Sequence, residues 1–294
     1  MNKVVEQRKN TWKGFAMLVS DLDGTLLLKE RGFASQDLIA LKKMGEAGVI
    51  RVIATGRSIF SLQRVLAKDF PVDYVIFSSG VGIIDWKKRE LISRSGMSRK
   101  NVLDLQKTLE NQRLNYMIHR PAPHNHWFSY RMQVEEKTDF RQRVIRYRQF
   151  ADLIVPGKSW RGGNASQLLA VAPPQERRLN RLRVILGPQC HFVRTTSPLD
   201  GISLWMELMP TGISKAAGIR LLAKKLAINL IDTVAVGNDF NDIDMLRAVG
   251  NPLVTPDAPK EMIEEFPVIR TDAPGILSSL ETQFPATGPV YVSQ

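Results

Sequence analysis

The sequence is poor in residues that form disulfides or bind soft metals, with one cysteine, Cys190, and four histidines among 294 residues. A lone cysteine excludes an intramolecular disulfide, and without a Cys/His cluster a zinc site is not expected. Chains with so little cysteine suit a reducing compartment. We therefore expect a cytoplasmic protein.

The sequence also lacks a continuous apolar run of the length that a membrane helix needs, and residues 1–13 are polar and basic, unlike a signal peptide. We expect no membrane segment. With 44% hydrophobic residues the chain is globular, and two domains fit its 294 residues better than one. It contains no internal repeat and no low-complexity segment.

The net charge of +12 is concentrated in the middle of the chain. Residues 86–203 contain 22 Lys/Arg and 9 Asp/Glu, a balance of +13, whereas the remainder has a balance of −1. Such a region can steer a phosphorylated substrate, hold a polyanion such as nucleic acid, or form a soluble surface. Composition does not choose among these three, but no nucleic-acid-binding motif is present, so nucleic acid is not the expected partner.

The most informative stretch is an acidic turn after the apolar residues 15–19. Asp21 and Asp23 lie two residues apart and are followed by Gly24 and Thr25, which predicts a buried strand that ends in a turn. One carboxylate is then free to attack, the other can handle protons, and a carbonyl oxygen can bind a cation such as Mg²⁺. A lone Asp-x-Asp is more often a solvated acidic turn.

Apolar strands alternate with helices on both sides of this turn, which predicts a parallel sheet covered on both faces. In such sheets ligands bind at the carboxyl ends of the strands. Three polar positions lie at predicted strand ends, namely Asp21, Thr55 and Ser79. We therefore expect a Rossmann-like α/β core.

The pattern changes after residue 85, where helices and strands recur without Asp-rich or Gly-rich turns, and resumes at 204 with the apolar run 204–208. We interpret 86–203 as an α+β domain inserted into a core made of 1–85 and 204–294. The tail after Phe284 is expected to be loosely ordered.

Two further segments of the second core portion offer polar groups at element ends. Lys215 follows a Pro-Thr-Gly turn and Ser214, a suitable helix N-cap, so its ammonium is expected at a helix N-terminus where anions are favoured. Residues 238–244 form an acidic turn after an apolar strand. A solvated lysine and ordinary capping residues are the alternatives for these two segments.

Taken together and in this order, the segments resemble the haloacid dehalogenase superfamily, and within it the Cof-like branch that includes sucrose-phosphate and mannosyl-phosphoglycerate phosphatases. In that branch a large α/β cap lies between the second and third motifs, as 86–203 does here. The resemblance implies that Asp21 is the nucleophile and Asp23 the general acid/base. The phosphate-binding residues it implies are Thr55, Gly56, Lys215 and Asn241. The residues it implies for Mg²⁺ are Asp21, Asp23, Asn238 and Asp242.

One position departs from the family pattern, which has Asp where this chain has Asn238. An amide oxygen can ligate Mg²⁺ but removes a negative charge, and Asp239 can compensate if the turn is shifted. The inserted domain is expected to select the substrate. By residue type the specificity candidates are Arg57, Ser79, Arg120 and Arg161.

The sequence thus predicts a Mg²⁺-dependent phosphoric monoester hydrolase that acts on a small phosphorylated metabolite, with sugar phosphates favoured. The alternatives are a catalytically weak phosphometabolite-binding or regulatory protein, a mutase-like relative, and a mannosyl-3-phosphoglycerate phosphatase-like enzyme. The oligomeric state is left open.

Overall fold

The computed structural model describes residues 14–134, 139–172, 175–196, 203–270 and 275–284. The tail after Phe284 lies outside these residues. In chain order the strands are β1 (Met17–Ser20), β2 (Leu27–Leu28), β3 (Gly32–Phe33), β4 (Ile50–Ala54), β5 (Tyr74–Phe77), β6 (Gly82–Asp85), β7 (Glu90–Arg94), β8 (Asn115–His119), β9 (Phe128–Arg131), β10 (Ala151–Leu153), β11 (Gln167–Ala172), β12 (His191–Thr196), β13 (Leu204–Met209), β14 (Thr233–Gly237) and β15 (Asn251–Val254). The α-helices are α1 (Ser35–Glu46), α2 (Ile59–Leu62), α3 (Arg99–Asn111), α4 (Asp139–Arg146), α5 (Glu176–Leu186), α6 (Lys215–Leu226), α7 (Ile243–Leu246), α8 (Lys260–Glu265) and α9 (Leu280–Gln283).

The first sheet, which we call the core sheet, has seven strands in the order β15-β14-β1-β4-β5-β6-β7. Pairing is parallel from β15 to β5, and the hairpin β6-β7 adds two antiparallel strands at one edge. The acidic turn follows β1, which lies at the centre of the parallel part. The predicted parallel-rich α/β architecture is confirmed.

Both faces of the core sheet are covered, as apolar strands without alternation require. On one face Leu18 and Ile53 pack with Leu41 and Met44 of α1. On the other face Val19 and its neighbours pack with residues from the second core segment, namely Ile219, Leu222, Met245 and Met262.

The second sheet, which we call the cap sheet, has six strands in the order β10-β9-β8-β11-β13-β12. Helices α3 and α5 cover one face with Leu105 and Leu182, among others. On the other face Met117, Leu169 and Trp205 pack with Phe140 of α4. The cap sheet is built from the stretch of chain between the two parts of the core sheet.

The structure corrects two predicted boundaries. Leu204–Met209 was expected to resume the parallel core pattern, but it pairs antiparallel with β11 and β12 in the cap sheet. The boundary expected after Asp85 falls inside the hairpin β6-β7, which belongs to the core sheet. A strand buried on both faces has the same apolar sequence in either kind of sheet, so composition could not assign these strands to a sheet.

The helix that follows β4 is short. Only Ile59–Leu62 is α-helical, with the Ser58 hydroxyl accepting from the Ser61 N–H at its start. Among the described helices, none combines the length and apolar character needed to cross a membrane.

Candidate active site

The carboxyl ends of three adjacent parallel strands bring the predicted motifs together. Asp21 follows β1, Thr55 follows β4 and Asn238 follows β14. Backbone hydrogen bonds extend the pairing one residue further, from the Asp21 N–H to the Val236 carbonyl at 2.9 Å and from the Thr55 N–H to the Ile76 carbonyl at 2.9 Å. The site therefore lies at the edge of the sheet where ligands bind in open α/β folds.

Lys215 joins the turn after β1 to the turn after β14. Its Nζ donates to Asp21 Oδ1 and to Asp242 Oδ1, each at 2.6 Å. All three side chains are at most 7% exposed. Buried charges are tolerated when paired and hydrogen-bonded. The Ser214 hydroxyl accepts from the Ala217 N–H and begins α6, so Lys215 enters the site as the first residue of that helix.

The pKa values of Asp21 and Lys215 depend on each other's charge and on that of Asp242. Burial raises the pKa of Asp21 to about 7, an effect that the Lys215 ammonium opposes and the Asp242 carboxylate reinforces. Burial acts to lower the pKa of Lys215, but the two carboxylates outweigh it and raise that pKa above its ordinary value. The lysine thus remains an ammonium, and it is the group that favours a carboxylate at Asp21.

Asp242 also organises the turn after β14. Its Oδ2 accepts the N–H groups of Asn238 at 2.9 Å and Asp239 at 3.2 Å, and Asp239 Oδ1 accepts the Phe240 N–H. A Cβ at Gly237 would lie 2.6 Å from the Cβ of Asp242, so this turn requires glycine there. Capping and a role in the site were the alternatives for this segment. Asp242 combines them, because its Oδ2 caps the turn and its Oδ1 accepts from Lys215.

Asn238 connects the turn after β14 to the turn after β1. The Thr25 hydroxyl donates to Asn238 Oδ1 at 3.3 Å. Gly24 has a φ of +84°, and a Cβ there would lie 2.2 Å from Asn238 Nδ2. Glycine at this position permits both the left-handed turn and the close approach of the amide.

Asp23 is bound by Arg57. The guanidinium donates to both carboxylate oxygens, from Nη2 to Oδ1 at 2.6 Å and from Nε to Oδ2 at 2.7 Å. This hydrogen bonding to Asp23 raises the pKa of Arg57. The Arg57 N–H also donates to the Thr55 hydroxyl at 3.1 Å. Arg57, predicted as a specificity residue, thus contacts the predicted acid/base directly.

The donor set at this edge fits a hard, oxygen-binding cation. It offers the Asp21 carboxylate, the Asp23 carbonyl, the Asn238 amide oxygen and the Asp242 carboxylate, and these are the ligand types that Mg²⁺ prefers. Within the described residues no three His, Cys, Asp or Glu side chains cluster as a metal site. Mg²⁺ commonly uses one or two carboxylates and completes its shell with water and substrate oxygens, so the residues present fit it.

Similarity to known proteins identifies the family of this chain. The model of the haloacid dehalogenase-like hydrolase family matches residues 18–272. The chain belongs to this family. The predicted membership of the haloacid dehalogenase superfamily is confirmed.

Curated relatives of this haloacid dehalogenase-like hydrolase are named as phosphatases. An HMP-PP phosphatase of Yersinia enterocolitica is 26% identical over 269 residues, covering 87% of this chain and 89% of the relative. A putative phosphatase of Streptococcus pyogenes is 24% identical over 249 residues, covering 84% and 89%. These names support the prediction that the protein is a phosphatase.

Solved structures show the same fold. A phosphatase of the superfamily from Bacteroides thetaiotaomicron aligns with a TM-score of 0.74 at 20% identity, covering 94% of this chain and 97% of that one. A sugar phosphatase of subclass IIB aligns with a TM-score of 0.68 at 18% identity, covering 92% and 99%. The α/β fold predicted for the Cof-like branch is confirmed.

The other site residues predicted for this haloacid dehalogenase-like hydrolase lie in different parts of the structure. Gly56 follows Thr55, and Asn241 is half-buried in the turn after β14. Arg120 is exposed and pairs with Asp152 at 3.2 Å. Arg161 is exposed next to Trp160, which packs in the cluster on the α3 and α5 face of the cap sheet. The specificity roles of Arg120 and Arg161 stay predictions.

Sequence reasoning missed the residues through which the cap sheet touches the site. Glu207 Oε2 accepts from the Ser79 hydroxyl at 2.6 Å, and Asn125 Nδ2 donates to the Ser78 hydroxyl at 2.6 Å. Ser78 and Ser79 both have positive φ, 48° and 52°, which shows a tightly turned loop after β5. The available signal was Glu207 itself, the one charged residue in the otherwise apolar run Leu204–Met209.

Proposed function

We propose that this hydrolase is a Mg²⁺-dependent phosphatase that removes a phosphoryl group from a small metabolite through an aspartyl-phosphate on Asp21. The observation that carries the proposal is the Lys215 ammonium, 2.6 Å from both Asp21 and Asp242 at the carboxyl end of the core sheet. Phosphoryl transfer depends on positioning and on neutralising phosphoryl oxygens, and a buried ammonium beside the nucleophile supplies both.

In the first step an Asp21 carboxylate oxygen attacks phosphorus and the bond to the ester oxygen breaks. The leaving oxygen takes a proton from Asp23, and Asp21 becomes an acyl-phosphate. In the second step water attacks phosphorus and transfers a proton to Asp23. Inorganic phosphate leaves and the Asp21 carboxylate is restored.

Thr55, Gly56 and Lys215 are proposed to hold the phosphoryl oxygens, with Asn241 beside them. Thr55 follows β4, and Lys215, the first residue of α6, has its ammonium beside Asp21, which follows the neighbouring strand β1. Cations and N–H groups at helix starts favour bound anions.

Arg57 adds a constraint on Asp23. Both Asp23 oxygens accept from Arg57, so at least one of these hydrogen bonds has to loosen before the carboxyl holds a proton. Arg57 is half-exposed, with 28% of its side chain accessible, so substrate entry can compete for it. We propose that Arg57 positions the acid/base rather than selects the substrate.

Asp21, the Asp23 carbonyl, Asn238 and Asp242 are proposed to hold Mg²⁺. The ion would neutralise charge on the phosphoryl oxygens, as metal ions do in phosphoryl transfer. Since Asn238 is uncharged, a catalytically weak phosphometabolite-binding protein is the second candidate.

A sugar phosphate is the substrate class we favour, and a structure named as a sugar phosphatase shares the fold. The curated relatives include HMP-PP phosphatases, which supports a small phosphorylated substrate. The cap sheet and its helices are proposed as the specificity domain. The low cysteine content supports a cytoplasmic location.

Hydrolysis of p-nitrophenyl phosphate tests the activity. We expect turnover that requires Mg²⁺ and is abolished in Asp21→Asn. Asp257→Asn, at an exposed turn residue, is the matched control and should retain wild-type rates. Binding of phosphorylated metabolites without turnover in the wild type would favour the second candidate.

A further inference from the structure

The loop between β8 and β9 connects two strands of the cap sheet and reaches the core. We call residues 120–127 the docking loop. Pro121 and Pro123 restrict its backbone torsion angles. His119, the last residue of β8, has its Nδ1 2.8 Å from the Asn125 carbonyl oxygen, which ties the loop back to its own strand. The docking loop is therefore held in shape by its own contacts.

Two buried residues of the docking loop contact the core. Ala122, 2% exposed, belongs to the hydrophobic cluster that contains Leu18 and Leu62. Asn125, 3% exposed, donates from Nδ2 to the Ser78 hydroxyl at 2.6 Å. A buried donor without a partner costs free energy, so this hydrogen bond favours the docked position of the loop.

A third contact joins the docking loop to α2. The His126 ring stacks on Phe60, with 4.5 Å between the ring centroids and 13° between the planes. Phe150 meets both rings edge-on, with its centroid 4.8 Å from that of Phe60 and 5.0 Å from that of His126. Stacked and edge-to-face arrangements are favourable for aromatic rings. The short helix α2 is thereby packed against the docking loop.

The polar contact and the aromatic contact both continue to Arg57, in the turn after β4. The Ser78 N–H donates to the Arg57 carbonyl at 2.9 Å. In α2 the residue after Phe60 is Ser61, whose hydroxyl accepts from Arg57 Nη1 at 3.2 Å. The docking loop thus reaches Arg57 by two separate chains of contact.

The loop after β5, through which the polar contact runs, has a strained backbone. Ser78 and Ser79 have φ angles of 48° and 52°. Residues other than glycine rarely adopt such angles, and they keep them only where surrounding contacts hold them. The Ser79 N–H donates to the Thr55 carbonyl at 2.9 Å, and the Asn125 amide donates to the Ser78 hydroxyl. Removal of the Asn125 amide is therefore expected to relax this loop and to loosen its bonds to the turn after β4.

We propose that the docking loop positions the acid/base of the reaction. Asn125 and His126 hold Arg57 in place through the contacts above. Arg57 donates to both carboxylate oxygens of Asp23, at 2.6 and 2.7 Å, so the orientation of Asp23 follows that of Arg57. Asn125 and His126 are thus positioning residues. This inference rests on the proposed phosphatase function.

The leaving group decides how much the reaction depends on Asp23. Phenolate is a stronger base than p-nitrophenolate, so cleavage of phenyl phosphate depends more on a proton from Asp23 than cleavage of p-nitrophenyl phosphate does. The two esters are otherwise alike, so a defect in substrate binding or in folding lowers both rates equally. A comparison of the two esters therefore separates positioning of the acid from a merely structural role.

The test uses the full chain with Mg²⁺. We expect Asn125→Leu and His126→Leu to lower kcat/KM about 10-fold for phenyl phosphate and less than about 3-fold for p-nitrophenyl phosphate. Phe60→Leu should reproduce the effect of His126→Leu, because it removes the other ring of the same stack. His126→Phe keeps a stacked ring and should hold both rates within about 2-fold of the wild type.

A second background tests the route through Arg57. In Arg57→Gln the link to Asp23 is already lost, so the addition of His126→Leu should lower kcat/KM for phenyl phosphate by less than about 2-fold further. Asn180→Leu, at an exposed position of α5, is the matched control for Asn125→Leu and should leave both rates unchanged.

Three results overturn the inference. The first is an equal loss on the two esters, which shows an effect on binding or folding. The second is a full further loss when His126→Leu is added to Arg57→Gln. The third is wild-type rates in Asn125→Leu, His126→Leu and Phe60→Leu. If Asn125→Leu does not fold, the variants at His126 and Phe60 decide.

The outcomes also distinguish this inference from the proposed function. If the wild type hydrolyses neither ester, the phosphatase is contradicted, and hydrogen–deuterium exchange then tests the docking loop. His126→Leu should speed amide exchange in residues 55–62 about 10-fold, because α2 loses its packing against the loop, whereas Asn180→Leu should not. Unchanged exchange at 55–62 in His126→Leu overturns the inference.

Discussion

Both carboxylate oxygens of Asp23 accept hydrogen bonds from Arg57, at 2.6 and 2.7 Å. The pair joins the turn after β1 to the turn after β4. Bidentate Arg–carboxylate pairs fix orientation as well as charge. The position of the proposed acid/base therefore depends on a side chain from a neighbouring strand end.

Arg57→Gln is expected to lower kcat for p-nitrophenyl phosphate by about 10- to 100-fold, because general acid/base catalysis contributes on the order of 10²–10⁴ and depends on geometry. KM should change less than kcat. Steady-state kinetics measure both. Arg64→Gln, an exposed arginine near α2, is the control and should behave as the wild type. An unchanged kcat in Arg57→Gln would contradict the positioning role.

Lys215→Met is expected to destabilise the fold by about 3–5 kcal/mol, because it leaves the buried Asp21 and Asp242 without their cation. Urea denaturation measures the change in the free energy of unfolding. Adding Asp21→Asn and Asp242→Asn should recover part of the stability but no activity. Lys224→Met, at an exposed position of the same helix, should cost less than about 1 kcal/mol.

His119 is expected to make the fold sensitive to acid. Its pKa is lowered to about 3 in the folded protein, mainly by burial, against 6.5 when unfolded. The stability that depends on the neutral ring is complete above pH 6.5 and is lost as the pH falls toward 3. His119→Gln should reduce the loss of unfolding free energy between pH 7 and pH 5, measured by urea denaturation. The exposed His124→Gln should not, and equal slopes in all three proteins would argue against the prediction.

Asn238→Asp is expected to lower the Mg²⁺ concentration for half-maximal activity by about 10-fold, because a carboxylate adds negative charge to an oxygen site for a hard cation. The Thr25 hydroxyl can still donate to the new side chain. Mg²⁺ titration of activity and calorimetry measure the change. Asn111→Asp, at the exposed end of α3, controls for the added charge and should not alter the Mg²⁺ requirement.

The sequence alone identified the acidic turn, because an apolar strand followed by Asp-x-Asp-Gly-Thr is a local pattern. It also located Lys215, since the preceding Ser214 caps a helix through contacts only three residues long. Strand ends in a parallel sheet meet at one edge, so Asp21, Thr55 and Asn238 could be expected to converge.

Tertiary structure decided what these residues contact. Ser79 and Glu207 are 128 residues apart, and the Glu207 strand belongs to a sheet that its apolar sequence does not specify. The partner of Arg57 likewise depends on how two turns face each other. Local patterns reflect interactions between near neighbours in the chain, whereas strand pairing and side-chain partners depend on packing between distant segments, which no short stretch of sequence contains.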